Sequence, residues 1–318
     1  MDIRDTILKF PEQIKVGQEA AKDFKLGKEY KRVVICGMGG SIIPGFIFLT
    51  YQEHKNKGPG VPVIINNNYG LPSDVTSDDL VICVSWSGTT GETISAFQTA
   101  LEREITPIVI TKGDKLGQLA KDYNTPLIIL PDKKSPPRLG VGYMTGALFA
   151  VLGLEKELDI NLDPANHENT GKELAETIGK SIPLIYSDYS WRKLGAMWKA
   201  NINESAKMPC YWNYMPVMAH DEIQMYEQRG LMFYPIILKD PNEKSPATRD
   251  LNTAIAIFKE LGYNYSIIDL DSSSKILQTI LSNYILCLWT SYYLAQNLGV
   301  DPEDIKLIEK FKQLKKQF

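Results

Sequence analysis

Cysteine and histidine are scarce in this chain, with four and three residues among 318. Cys36, Cys83, Cys210 and Cys287 lie far apart and form no CxxC pair, which excludes a disulfide framework and a thiolate metal motif. Free thiols in a reducing cytoplasm are the plain reading, and His54, His167 and His220 are too few and too dispersed for a zinc site. No excess of one charge is present either. Lys+Arg number 35 and Asp+Glu 38, giving a formal net charge of -3. That balance points to neither a nucleic-acid partner nor an anionic membrane. The N-terminus, Met1-Asp2-Ile3-Arg4-Asp5, has no basic region leading into an apolar core, so no signal peptide is expected. The most hydrophobic stretch, Ile276 to Leu298, is broken by Gln278, Ser282, Asn283, Thr290, Ser291 and Gln296. It reads as a buried core helix rather than a membrane span.

What is present is an alternation. Short β runs, Val33–Cys36, Val61–Asn66, Leu80–Val84, Thr106–Thr111 and Pro126–Leu130, are separated by helical patterns such as Glu92–Arg103 and Lys115–Tyr123. This spacing predicts an α/β fold with a doubly wound parallel sheet, preceded by one or two lead-in helices broken at Pro11. The second half repeats the alternation more weakly. Leu184–Tyr186, Met232–Leu238 and Tyr263–Asp269 read as strands. Leu139–Leu154 at the end of the first half, and Trp191–Ser205, Pro246–Leu261, Ser273–Leu298 and a last segment to Phe318 in the second, read as helices. Two α/β domains with a cleft between them are therefore expected, 1–155 and 156–318, joined through the polar segment Asp159–Thr170.

Two strand-to-helix turns carry the chemistry. Ser85-Trp86-Ser87-Gly88-Thr89-Thr90 follows Leu80–Val84, and Gly37-Met38-Gly39-Gly40-Ser41 follows Val33–Cys36. Hydroxyls and free N–H groups at a helix N-terminus form an uncharged anion cradle. In a doubly wound sheet both turns fall beyond the carboxyl ends of the strands. A dinucleotide fingerprint is incomplete, because Ile42 stands where the third glycine belongs and Asn66-Asn67-Asn68 offers no acid for a ribose. A P-loop is absent as well. A phosphate-bearing ligand is the expectation, with a plain tight turn as the alternative for Gly37–Ser41 taken alone. In the second half, Asn203-Glu204-Ser205-Ala206-Lys207 ends a helical pattern, and His220-Asp221-Glu222 follows Pro216-Val217-Met218-Ala219. Taken alone, Glu204 reads as a solvated carboxylate and His220 as a structural histidine. Converging on a phosphate-bearing cleft, they would form an acid–base pair.

Gly-Gly-Ser (39–41), Ser-x-Ser-Gly-x-Thr (85–90), Pro-Arg (137–138), Asn-Glu-x-x-Lys (203–207), His-x-Glu (220–222) and Ile-Glu-x-x-Lys (308–312) occur in this order. With these motifs the chain resembles the bifunctional phosphoglucose/phosphomannose isomerases of the sugar isomerase (SIS) superfamily over nearly its whole length. The resemblance implies an aldose–ketose isomerase that interconverts glucose 6-phosphate, with mannose 6-phosphate as a second aldose, and fructose 6-phosphate through a cis-enediol. It implies that Gly40, Ser41, Ser85, Ser87 and Thr90 bind the sugar phosphate and that Glu204 shuttles a proton between C2 and C1. It further implies that His220 helps open the ring, Lys312 assists near the ring oxygen, and Arg138 stabilises the enediolate. A homodimer with the histidine supplied across the interface is implied, with no metal and no cofactor. Position 89 is Thr where Asn is usual, and position 221 is Asp where Asn is usual. Two other readings remain, a non-catalytic sugar-phosphate sensor on the same fold and a SIS enzyme for another phosphosugar. The full glucosamine-6-phosphate synthase is not expected, because it requires cysteine at position 2, which is Asp2 here.

Overall fold

Two units divide the chain, Met1–Asp163 with Ser274–Leu281, and Pro164–Ser273 with Ser282–Phe318. The structure, a computed structural model, describes residues 2–27, 29–55, 60–131, 135–228, 230–273 and 275–315. The first unit opens with helices α1 (Ile3–Leu8) and α2 (Phe10–Ala20). The break between them falls at Lys9 and not at Pro11. The proline stands in the first turn of α2, where its missing N–H removes no helical hydrogen bond.

The rest of this unit alternates as β1 (Val33–Cys36), α3 (Ile43–Lys55), β2 (Val63–Asn66), β3 (Leu80–Ser85), α4 (Gly91–Glu102), β4 (Ile108–Thr111), α5 (Asp114–Asp122), β5 (Leu127–Ile129) and α6 (Val141–Val151). The five strands form one parallel sheet in the order β2-β1-β3-β4-β5. β1, β3 and β4 are buried at every position, which is why they read as unbroken apolar runs rather than alternating ones. Strand order reverses between β1 and β3. The crevice outside their carboxyl ends is therefore the place for a ligand. Cys36 and Cys83 pair across these two strands with both side chains buried. A hydrogen bond with Cys36 and burial push the Cys83 thiol well up, which makes it an inert core group.

Helices α2 and α6 cross backbone to backbone. A Cβ on Gly146 would lie 2.0 Å from the Ile14 carbonyl oxygen, and one on Gly17 would lie 1.9 Å from that of Tyr143. Gly146→Ala must push the helices apart, at a cost of about 1–3 kcal/mol or more. Thermal unfolding is expected to shift down by about 2–4 °C for each kcal/mol lost. An unchanged midpoint would contradict this crossing.

The second unit contains α7 (Glu168–Ile178), β6 (Ile182–Ser187), α8 (Arg192–Asn201), β7 (Tyr211–Tyr214), α9 (Met218–Asp221), β8 (Phe233–Lys239), α10 (Pro246–Leu261) and β9 (Ser266–Asp269). Its four strands are parallel, in the order β7-β6-β8-β9. Edge strand β7 has no apolar run to announce it; its sequence is Tyr211-Trp212-Asn213-Tyr214. Helix α11 (Ile276–Leu298) contributes residues up to Leu281 to the first unit and those from Ser282 to the second, and is buried along most of its length. Among the described residues no helix is long and apolar enough to cross a membrane. The last helix, α12 (Lys306–Leu314), has no buried residue and exposes Leu307 (80%) and Phe311 (67%). Lys316–Phe318, included in the expected last helix, lie outside the described residues.

Candidate active site

In the first unit, the turn after β3 ends at Thr90, the N-cap residue of α4. A threonine there ordinarily accepts a hydrogen bond from an N–H of the first helical turn. Thr90 makes no such bond. Its Oγ1 accepts instead from Ser85 Oγ at 3.1 Å. The N-terminus of a 12-residue helix is thus left without a side-chain cap, beside a cluster of hydroxyls. Ser85 is wholly buried, and its Oγ also accepts from Gly88 N–H at 3.1 Å. Its proton is directed to Thr90, so in this arrangement Ser85 braces the turn. Ser87 is half-buried; its Oγ accepts from the Thr89 N–H at 3.3 Å and from the Thr89 hydroxyl at 3.1 Å.

The other turns of this unit lock onto that one. Ser41 is 3% exposed, and its Oγ accepts from the Trp86 backbone N–H at 2.9 Å, which ties the β1 turn to the β3 turn. Gly40 touches the Pro137–Leu139 turn so closely that a Cβ would lie 2.5 Å from Arg138 N. Its lack of a side chain brings Arg138 against the β1 turn. Arg138 is itself buried. Trp86 is the hub that the motif reading passes over. Its Nε1 donates to Ser135 O at 2.9 Å, its ring stacks on Tyr143 at 5.6 Å, and Lys112 Nζ lies 5.6 Å from the ring centroid. Lys112 directly follows β4, the neighbour of β3, so strand order was the signal that would have found it.

The second unit holds the acid–base candidates. Glu204 is half-buried in a π-helical turn, Ile202–Ala206, which replaces the last turn of the helix expected to reach Ser205. Such turns concentrate at functional sites. Lys207 closes it in the left-handed conformation (φ 56°), with Nζ donating to the carbonyls of Glu204 and Asp304. His220 is exposed on the short helix α9. That helix is pinned from below. Tyr186 OH donates to Glu222 Oε2 at 2.8 Å, Asn213 Nδ2 donates to Glu222 Oε1 at 2.9 Å, and Tyr226 OH donates to Tyr186 OH at 3.0 Å. Burial, then the neighbouring Tyr226 and Glu222, push the Tyr186 phenol far up, so it stays a donor. Lys312 is exposed on α12 and follows Ile308 by one turn, bordering the apolar stripe of Leu307, Ile308, Phe311 and Leu314.

Within this unit Glu204 and His220 lie on either side of β7 in the chain. β6 and β7 are parallel, so α8 must run back along the sheet between them. Glu204 therefore precedes the start of β7, near the amino ends of the strands. His220 lies past the carboxyl end of β7, a strand of four residues that spans about 13 Å. The counterpart of the phosphate crevice, beyond β6 and β8, is acidic. Asp188 and Asp240 are each 2% exposed there. Asp188 Oδ1 accepts from Ser190 N at 2.9 Å and Asp240 Oδ1 accepts from Asn242 N at 2.8 Å. Among the described residues, the turns after β6 and β8 thus carry buried acids where those after β1 and β3 carry glycine and hydroxyls.

Residues 167–314 match the family described as bacterial phospho-glucose isomerase C-terminal SIS domain. The bifunctional phosphoglucose/phosphomannose isomerase of Aquifex aeolicus (strain VF5) is 31% identical over 308 residues, covering 93% of each chain. The protein of the same name from Thermoplasma volcanium is 30% identical over 98% of this chain and 99% of its own. Among solved structures, a hypothetical protein from Thermus thermophilus superposes with a TM-score of 0.75 over 98% of this chain and 89% of its own, at 14% identity. That likeness shows a shared fold. The identities across nearly the full length show more: the chain belongs to the bifunctional phosphoglucose/phosphomannose isomerase family.

Proposed function

We propose that this chain interconverts fructose 6-phosphate with glucose 6-phosphate and mannose 6-phosphate by moving a proton between C1 and C2. The observation that carries the reading is the uncapped N-terminus of α4, framed by the Ser87 and Thr90 hydroxyls. These hydroxyls and the first-turn N–H groups of α4 bind the phosphate dianion. Ser41, Ser85 and Gly40 hold the turns that present them. Glu204 acts as the base: it removes the proton from C2 of the aldose and returns it to C1 through a cis-enediol. Arg138 balances the charge that develops on the enediolate oxygen. Lys312 acts near the ring oxygen.

Ring opening needs an acid, and His220 supplies it. Glu204 precedes β7 and His220 follows it, which supports a histidine supplied to a given Glu204 by a second copy of the chain. We therefore propose a homodimer with paired, mutually dependent sites. The exposed stripe on α12 fits a surface that is covered on assembly. The four free, buried cysteines fit a reducing cytoplasm.

The test is incubation with a panel of hexose phosphates, fructose 6-phosphate and glucosamine 6-phosphate among them, with every product identified. Aldose formation from fructose 6-phosphate supports the reading. Turnover of a different phosphosugar alone overturns the substrate assignment.

A further inference from the structure

The four hydroxyls of the β3–α4 turn divide into two inner and two outer partners. Ser85 and Thr89 direct their protons inside the turn, to Thr90 Oγ1 and Ser87 Oγ, each at 3.1 Å. Ser87 and Thr90 receive those bonds, and no hydrogen bond to the described residues uses their own protons. A hydroxyl whose oxygen accepts two donors has its rotor fixed and its own proton polarised outward. Ser87 is in this state, and both of its donors come from Thr89, one from the backbone and one from the side chain.

We propose that Thr89 is a positioning residue for phosphate binding, acting through Ser87 rather than on the ligand. The proposal rests on the phosphate reading above and deepens it. The Thr89 hydroxyl sets the direction in which Ser87 donates, and the Thr89 N–H alone leaves that rotor freer. The side chain of Thr89 is exposed, so its replacement by valine keeps size and branching and removes only the hydroxyl. A contact to a phosphate that takes no part in the chemistry is made equally in the ground and transition states. Its loss raises KM and leaves kcat in place.

The experiment is a double-mutant cycle on steady-state kinetics with fructose 6-phosphate, using wild type, Thr89→Val, Ser87→Ala and the double variant, with Thr89→Ser as the rescue. Thr89→Val is expected to raise KM about three- to tenfold, the range for one hydrogen bond. Thr89→Ser restores it. In the Ser87→Ala background Thr89→Val adds nothing, because the group it positions is gone. Additive effects show that Thr89 touches the phosphate itself and overturn the proposal, as does an unchanged KM for Thr89→Val when Ser87→Ala raises it. Failure of the underlying reading looks different. If Ser87→Ala itself leaves KM unchanged, the turn does not bind the phosphate, and the proposal falls with that reading.

Discussion

Glu204→Gln lowers the isomerisation rate by at least ~10²-fold, the low end of general acid–base catalysis, with little change in KM. The amide keeps the shape of the side chain and its capacity to accept a hydrogen bond, but it cannot take a proton from carbon at neutral pH. The near-constant KM follows from where the two tasks sit in the sequence. The proposed phosphate cradle is built from residues 41 and 85–90 in the first unit, and Glu204 stands in a π turn of the second. Removing the base leaves the Ser41, Ser87 and Thr90 arrangement intact. The π turn is held at its exit by Lys207, whose ammonium bonds two carbonyls. Both bonds are made to main-chain carbonyls and not to the Glu204 carboxylate, so a glutamine at 204 leaves them in place. Steady-state kinetics on a variant with an unchanged unfolding midpoint separates the effects. A rate near the wild-type value would remove Glu204 from the base role.

Mixing two inactive variants restores activity. In the proposed homodimer, Glu204→Gln removes the proposed base from both sites and His220→Ala removes the proposed ring-opening acid from both. If each site draws its histidine from the other copy, a mixed dimer has one site with both native groups and one with neither. Random exchange at equal amounts makes about half the dimers mixed, so about one quarter of the wild-type sites are recovered. The physical basis is the direction of the chain. β7 runs between Glu204 and His220 in the chain and carries it from the amino to the carboxyl end of the sheet. Activity that stays at the level of the separate variants after subunit exchange would place the histidine in its own copy's site.

The parts of the fold that repeat a simple pattern were legible in the sequence. The buried strands β1, β3 and β4 lie at the apolar runs, and α10 spans Pro246–Leu261 as its periodicity indicates. Both strand-to-helix turns were legible because glycine and hydroxyl residues follow those runs directly. Features set by tertiary contact were not legible. β7 becomes a strand by pairing with β6, and its aromatic and polar residues carry no alternation. The helix carrying Glu204 gives way to a π turn after Asn201, where no proline or glycine marks the change. Within the Ser85–Thr90 motif, composition named the hydroxyls but not their order of donation. Only the geometry separates the bracing Ser85 and Thr89 from the outward Ser87 and Thr90. The role of Trp86 in joining the β1 turn, Ser135 and Tyr143 was equally hidden, because it depends on where three distant segments meet.

The most direct measurement follows the purified chain from three starting points, fructose 6-phosphate, glucose 6-phosphate and mannose 6-phosphate, with all three sugars quantified over time. The expected result is convergence on one equilibrium mixture from every start, with Glu204→Gln run in parallel and slower by at least ~10²-fold. A folded protein that fructose 6-phosphate stabilises against heat but that leaves each sugar unchanged would contradict isomerisation and point to a sensor of the same ligand.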